Sequence, residues 1–435
     1  MKKTIAILLA LVMILALFAC NKDSGGSSGD TPANTSQETP AAQDGGAFSE
    51  WFNAPLMVAP EDNPPTATVL NAAFDPDYDY FKNPRVKIGY LVNTGGFLYE
   101  FGYNNMKVWA DKMNVEMRMI DAQGDTDLYL SSIETLKGEG YHALLLDPDV
   151  TIYEAIKDKC RDVGIVWMSS MAAAQNIETG ELLAAASGFD HRDCGRWIAR
   201  WLTEYKDENW PSVPLADVGF LAVDMSSSFP LHERIEGCKE VWAEYAPGLE
   251  GNFFVADTIV GGLDSTTAYQ VSGAILTTQP QIKYWLIFGC MDDCADGATS
   301  AAIDAGLADV VVAATMGGPG LIQQWDAGES TPWKMALYTA AEIAVQPNLC
   351  AAYTYIFGWH TPETIWQPEW VDKSKNEKYA FYINSAMIMT EDNYQHYLKW
   401  VDLVTGLSNY DYVVPNVNVN DYTARNTTPP AYYAG

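Results

Sequence analysis

The chain has 435 residues, with 26 Lys and Arg against 56 Asp and Glu and a formal net charge of −30. Hydrophobic residues make up 48% and charged residues 19%, which supplies a full core and excludes global disorder. The acid excess, unbroken by any basic block, excludes nucleic acid as a partner, because neutralising phosphates takes clustered Lys and Arg. Length alone suggests about three domain-sized units of roughly 150 residues.

Lys2 and Lys3 precede an apolar run from Ile5 to Phe18, shorter than the ~20 residues that span a bilayer as a helix. A basic start, a short apolar stretch and small residues form the layout of a secretory signal. The run ends Leu17-Phe18-Ala19-Cys20, which resembles the lipobox of bacterial lipoproteins and implies cleavage before Cys20 and lipidation of its thiol. Residues 1–19 are then a signal peptide. Residues 20–50, rich in Ser, Gly, Thr, Pro and Gln, are a flexible tether reaching about 30 Å. This predicts an exported chain, lipid-anchored to the outer face of the cytoplasmic membrane (or the periplasmic side). Cleavage removes two lysines and no acid, so attachment comes from lipid and not from surface charge. Residues 51–84 carry Trp51, Phe52, Phe74, Tyr78, Tyr80 and Phe81; such aromatic content predicts a segment pinned onto the folded body.

From there the chain alternates. Residues 86–92, 115–120, 143–146 and 165–168 read as strands; 99–113, 128–137 and 152–163 carry helical periodicity. The run Ala143-Leu144-Leu145-Leu146 is wholly apolar, as expected of a buried parallel strand. A second series follows, with helices at 193–205, 231–245, 265–277 and 295–305 and strands at 217–223, 253–256, 284–288 and 310–314. Two strand–helix series predict an α/β fold with two parallel-sheet lobes, their ligand beyond the carboxyl ends of the strands.

Eight segments in order then resemble one family. Ile88-Gly89-Tyr90 with Gly96-Phe97-Leu98-Tyr99 resembles its first strand and aromatic loop; Asp121-Ala122-Gln123-Gly124-Asp125 and Leu144-Leu145-Leu146-Asp147-Pro148 resemble the ends of the next two strands. Asp190-His191-Arg192-Asp193-Cys194-Gly195 sits at the entry to the second lobe, followed by Arg234-Ile235-Glu236-Gly237, by 291–298 (MDDCADGA) and by 382–390 (YINSAMIMT). Over roughly residues 85–395 the chain is similar to the type I periplasmic binding proteins, the ribose/galactose branch of ABC-transporter solute binders. That resemblance implies two Rossmann-like lobes joined by a hinge. The first lobe spans 85–189 and about 330–360, the second 190–330 and about 380–398. Chain crossings fall near 188–191, 315–335 and 355–380, and an extension runs over 399–435.

The resemblance also implies a ligand set. Sugars stack on aromatic rings while polar side chains reach their hydroxyls. Gly96, Phe97 and Tyr99 fall on the aromatic loop, and Asp147 falls where a carboxylate accepts hydroxyls or caps the next helix. Ser169 and Ser170 stand where the branch carries Asp-Arg, His191 where it carries Asn, His232 where it carries Arg, and Met316 where it carries Asp. Met291 and Asp292 occupy the loop after a central strand. The two histidines suggest either a pH-sensitive grip or ordinary surface and capping roles.

Enzyme signatures are missing. The chain has no Gly-x-Ser-x-Gly elbow, His-Glu-x-x-His helix or Gly-Lys-Ser/Thr loop, and Gly317-Gly318-Pro319-Gly320 lacks a following Lys. Asp75-Pro76-Asp77-Tyr78-Asp79 imitates a calcium loop, but Tyr80 and Val86 occupy its sixth and twelfth positions. Cys160, Cys194, Cys238, Cys290, Cys294 and Cys350 are open to bridges, half a metal site or buried hydrophobes. The expectation is therefore a monomeric, cofactor-free, metal-free lipoprotein, not an enzyme. It binds a sugar-like solute and passes it to an ABC transporter permease, touching the membrane through its lipid alone. A sensor lipoprotein serving a membrane kinase or chemoreceptor is the alternative, and a sugar hydrolase a third reading.

Overall fold

Every residue of the strands Ala143–Asp147 and Val218–Asp224 is buried, because helices cover both faces of each sheet. The computed structural model describes residues 56–57, 59, 64–95, 97–339, 344–365, 379, 381–384, 386–395 and 397–398. The signal peptide, the tether, Trp51, Phe52, Gly96 and the extension 399–435 lie outside the described residues.

The first sheet contains β1 (Val86–Val92), β2 (Val115–Asp121), β3 (Ala143–Asp147), β4 (Val166–Met171), β5 (Ala186–Gly188) and β11 (Phe381–Ile383), in the order β11-β5-β4-β3-β1-β2. All its pairings are parallel. Its helices are α1 (Thr66–Asn71), α2 (Phe97–Lys112), α3 (Thr126–Gly138), α4 (Tyr153–Val163) and α10 (Gln346–Phe357). The second sheet contains β6 (Val218–Asp224), β7 (Phe253–Asp257), β8 (Tyr284–Gly289), β9 (Val311–Gly317), β10 (Trp333–Tyr338) and β12 (Met387–Met389), in the order β12-β10-β9-β8-β6-β7. There β12 alone runs antiparallel, against β10. Around it pack α5 (His191–Asn209), α6 (Phe229–Tyr245), α7 (Ser265–Thr278), α8 (Asp292–Asp304) and α9 (Pro319–Asp326).

Two predicted boundaries change. Residues 333–338, expected in the first lobe, form β10 and pair with β9 in the second, Ala336 opposite Thr315. The reason is local: β9, α9 and β10 make one more strand–helix–strand step, which returns to its own sheet. Residues 381–383, expected in the second lobe, pair with β5 in the first. The chain therefore crosses between lobes at 188–191, as read from sequence, and then between Tyr338 and Gln346 and between Ile383 and Met387.

The aromatic segment packs on the first lobe. Phe74 stacks on Tyr80 at 5.2 Å, Tyr80 meets Tyr353 edge-on at 5.4 Å, and Asn83 Nδ2 donates to the Tyr353 hydroxyl at 2.9 Å. Phe81, expected among these anchors, is 65% exposed; the ring faces water because Tyr80, its neighbour in the short turn, takes the inward position. Asp75 accepts from the backbone N–H groups of Ala67 and Asp77, and Asp79 from that of Phe81, so these carboxylates hold turns.

In the second lobe α5 and α6 cross without room for a side chain between them. A Cβ on Gly195 would lie 1.9 Å from the Arg234 carbonyl oxygen, and one on Gly237 would lie 2.0 Å from that of Arg192. This close approach sets the first turn of α5 against Arg234 on α6.

The six cysteines beyond Cys20 are free and buried. Cys290 and Cys294, one helical turn apart, bring their sulfurs to 3.7 Å. Burial pushes the Cys160 and Cys350 thiols up, which suppresses the reactive thiolate. A thiol reagent is expected to modify none of the six in the native protein and all six after denaturation without reductant. Fewer than six in the denatured protein would reveal a bridge.

Candidate functional site

In each sheet a central strand ends, at its carboxyl terminus, in a buried aspartate: Asp147 on β3 and Asp224 on β6. On the first lobe Val92 of β1 sits opposite Asp147 of β3, and the Asn93 N–H donates to the Asp147 carbonyl at 2.9 Å. The Asp147 carboxyl is 8% exposed, and its Oδ2 has no hydrogen-bond partner among the described residues. Burial pushes its pKa up to about 8, opposed in part by a hydrogen bond from the buried Tyr90 hydroxyl. It is therefore mostly protonated at neutral pH and both donates and accepts hydrogen bonds.

Tyrosines surround this carboxyl. The Tyr99 phenol, on α2, is raised first by the nearby Asp147 charge, then by burial and Tyr153; Arg234 of the second lobe pulls it back down. The Tyr153 hydroxyl and Ser169 Oγ are 2.7 Å apart. Beside them Asn348 Nδ2 donates to Ser170 Oγ at 3.1 Å, while Asn348 Oδ1 has no partner among the described residues. Asn384, in the third crossing, accepts from Ser187 Oγ at 3.1 Å and leaves Nδ2 without a partner among the described residues. Such open buried polar atoms are uncommon in folded proteins and await a bonding group.

On the second lobe β6 ends in Asp224, 1% exposed, whose Oδ2 lies 2.7 Å from His232 Nδ1. Burial raises this carboxyl above its ordinary range, the His232 bond opposes the rise, and Oδ1 has no partner among the described residues. Two residues along α6, Arg234 is 7% exposed. Its Nη1 donates to the Cys290 carbonyl at 2.5 Å and its Nε to His191 Nδ1 at 3.2 Å. The second bond requires a lone pair on Nδ1, so it fixes the Nε2–H tautomer of the His191 ring.

The residues expected at the site divide. Tyr99, Asp147, His191 and His232 reach the strand ends with polar atoms in or near the arrangement above. Ser169 and Ser170 lie there too, fully buried and bonded to Tyr153 and Asn348. The Asp292 carboxylate accepts from the backbone N–H of Gly318 at 2.9 Å and of Gly320 at 2.7 Å. Gly317 and Gly318 adopt φ of 143° and 125°, and a Cβ on Gly317 would strike Asp292 Oδ1 at 2.5 Å. The glycine run thus cradles a carboxylate of its own chain. Met316 is 4% exposed within the second-lobe core, because β9 is central and covered on both faces. Met291 precedes α8, half-buried against that core. Phe97 opens α2; Gly96 lies outside the described residues. Sequence reasoning missed Tyr90, Asp224, Arg234, Asn348 and Asn384. Arg234 had a signal, its Arg-x-x-Gly spacing, but it was read as part of a helix motif.

A separate concavity of about 510 Å³ is lined by Asp292, Asp293, Asp296, Glu329 and Trp333 among others. It shares Asp292 alone with the residues above and contains none of the open polar atoms.

Residues 93–346 match the model of a periplasmic binding protein domain. No curated protein matches the sequence. Among solved structures, the chain is similar to an ABC transporter periplasmic solute binding protein from Actinobacillus succinogenes with bound D-allose. The TM-score is 0.55 at 17% identity, over 71% of this chain and 98% of that one. The arabinose ABC transporter binding component from Shewanella, bound to L-arabinofuranose, gives 0.56 at 14% identity over 75% and 99%. A myo-inositol binding protein from Caulobacter gives 0.51 at 19% over 64% and 90%. At these identities the likeness is one of fold.

Proposed function

The chain belongs to the periplasmic binding protein family, solute binders outside the cytoplasm and not enzymes, and from that premise we propose that it captures a sugar or sugar derivative between its lobes and delivers it to an ABC transporter permease. The observation that carries this reading is a set of buried polar side chains from both lobes, Asp147 of the first and Asp224 and Arg234 of the second, of which the two carboxyls each keep an oxygen without a partner among the described residues; the Tyr99 phenol stands on α2 of the first lobe. A polyhydroxylated ring suits it: the phenol offers a face for C–H groups, and the carboxyl and guanidinium take hydroxyls. The similar structures hold D-allose, arabinofuranose and myo-inositol, all polyhydroxylated rings.

Contacts with both lobes favour the closed form over the open one, and that difference in affinity is what drives closure. In this reading the chain is a monomer held by lipid on Cys20, its acid surface keeping the body off anionic headgroups. Calorimetric titration against sugars, polyols, sugar acids and nucleosides is expected to give one site per chain, with Kd of about 1 μM or tighter for one compound class. Silence across the whole set overturns the proposal.

A further inference from the structure

Arg234 differs from the other arginines of the second lobe in its partners. Arg192 pairs with Glu233 and Glu240, and Arg196 with Asp193 and Glu240. Arg234 is more buried than either, yet no carboxylate lies within ion-pair distance of it among the described residues. Its described partners are neutral, the Cys290 carbonyl and the His191 ring, and its Nη2 has none among those residues. The charges that act on it most belong to Cys194, Cys290, Tyr99 and Cys294, all neutral in their ordinary forms. The carboxylates of the neighbouring elements are engaged elsewhere: Asp224 with His232, Asp193 with Arg196, Glu233 with Arg192. A buried cation without a counter-charge is costly, and proteins retain one where a partner arrives.

Resting on the solute-binding reading above, we infer that the solute is a polyhydroxylated anion, a sugar acid or sugar phosphate whose charged group seats on the open edge of the Arg234 guanidinium. The guanidinium fork matches carboxylate and phosphate geometry. The first lobe does not oppose it, because Asp147 is mostly protonated at neutral pH.

The test is calorimetric titration of the folded body at pH 6.5 with matched sets: galactose and galacturonate, glucose, gluconate and glucose 6-phosphate, arabinose and arabinonate. The expected result is binding of one acidic member about 100-fold tighter than its neutral parent; the carboxylate and phosphate arms tell the two sources apart. In Arg234→Gln that preference collapses to within about threefold, and Arg234→Lys restores part of it. Neutral parents binding as tightly as their acids overturn this inference and leave the proposed function standing; silence from every member of these sets also overturns the inference, while the proposed function falls only on silence across the wider sugar, polyol and nucleoside set. The wild-type comparison decides the matter even where Arg234→Gln fails to fold.

Discussion

Replacing Gly195 by valine is expected to abolish folding of the second lobe. At this point of the α5–α6 crossing the Arg234 carbonyl oxygen would lie 1.9 Å from any Cβ, and the obstacle is backbone, which cannot rotate away. The helices must separate, and the Trp197 and Trp242 side chains, both almost fully buried in the same core, lose their packing. Overpacking a core costs about 1–3 kcal/mol when side chains can yield; against rigid backbone the loss is at or above the top of that range. Gly195→Ala is expected to lower the urea midpoint strongly, while Gly251→Ala, with nothing within 4 Å of its Cβ, leaves it unchanged. Because the same crossing sets Arg234 against His191, any folded Gly195 variant should also bind its solute more weakly. Equal urea midpoints for the two alanine variants would refute the argument.

The second large effect belongs to Asp147→Asn. The folded-state pKa of this carboxyl is about 8 against an ordinary 3.8, so the native chain holds the proton more tightly than the unfolded one. Its stabilising effect is complete below the unfolded value and is lost as pH rises through about 8. Asparagine lacks this dependence. The variant should therefore be more stable than wild type at pH 9, by an amount whose ceiling is roughly 6 kcal/mol, and the gap should close towards pH 4. Thermal melts of both proteins at pH 4, 6 and 9 check this, and a gap independent of pH would refute the assignment. Solute affinity of the variant at pH 7 should stay within a few-fold of wild type, because the amide, like the protonated acid, offers both a donor and an acceptor. In wild type, affinity should decline above pH 8 as the carboxylate forms.

The lobes were legible because buried parallel strands announce themselves. Ala143–Asp147 and Tyr284–Gly289 are apolar runs of strand length, and an amphipathic helix follows each series of such runs. The crossings were harder, since β10 and β11 carry the same kinds of residues and nothing local states which sheet a strand joins. Asp147 stands at the end of its strand, and Tyr99, expected on a loop, lies in the first turn of α2. Met316 was not: a position counted along the chain gave no sign that its strand is central and closed over. Nor could the bonds of Asp292 be read locally, because its partners, Gly318 and Gly320, lie at the start of α9, beyond the next strand.

The net charge of −30 and the order of strands and helices are properties of composition and local periodicity, and the sequence by itself determined them. Which carboxylates are solvated and which are buried is not a local property. Asp147 and Asp224 look like the other acids in the chain, yet they stand at the ends of buried strands, where desolvation alters their protonation. Arg234 looks like Arg192, yet it is buried where α5 and α6 meet, with a carbonyl and a neutral ring as its described partners. Only the tertiary structure could decide these, since burial and the absence of a partner are fixed by residues far apart along the chain.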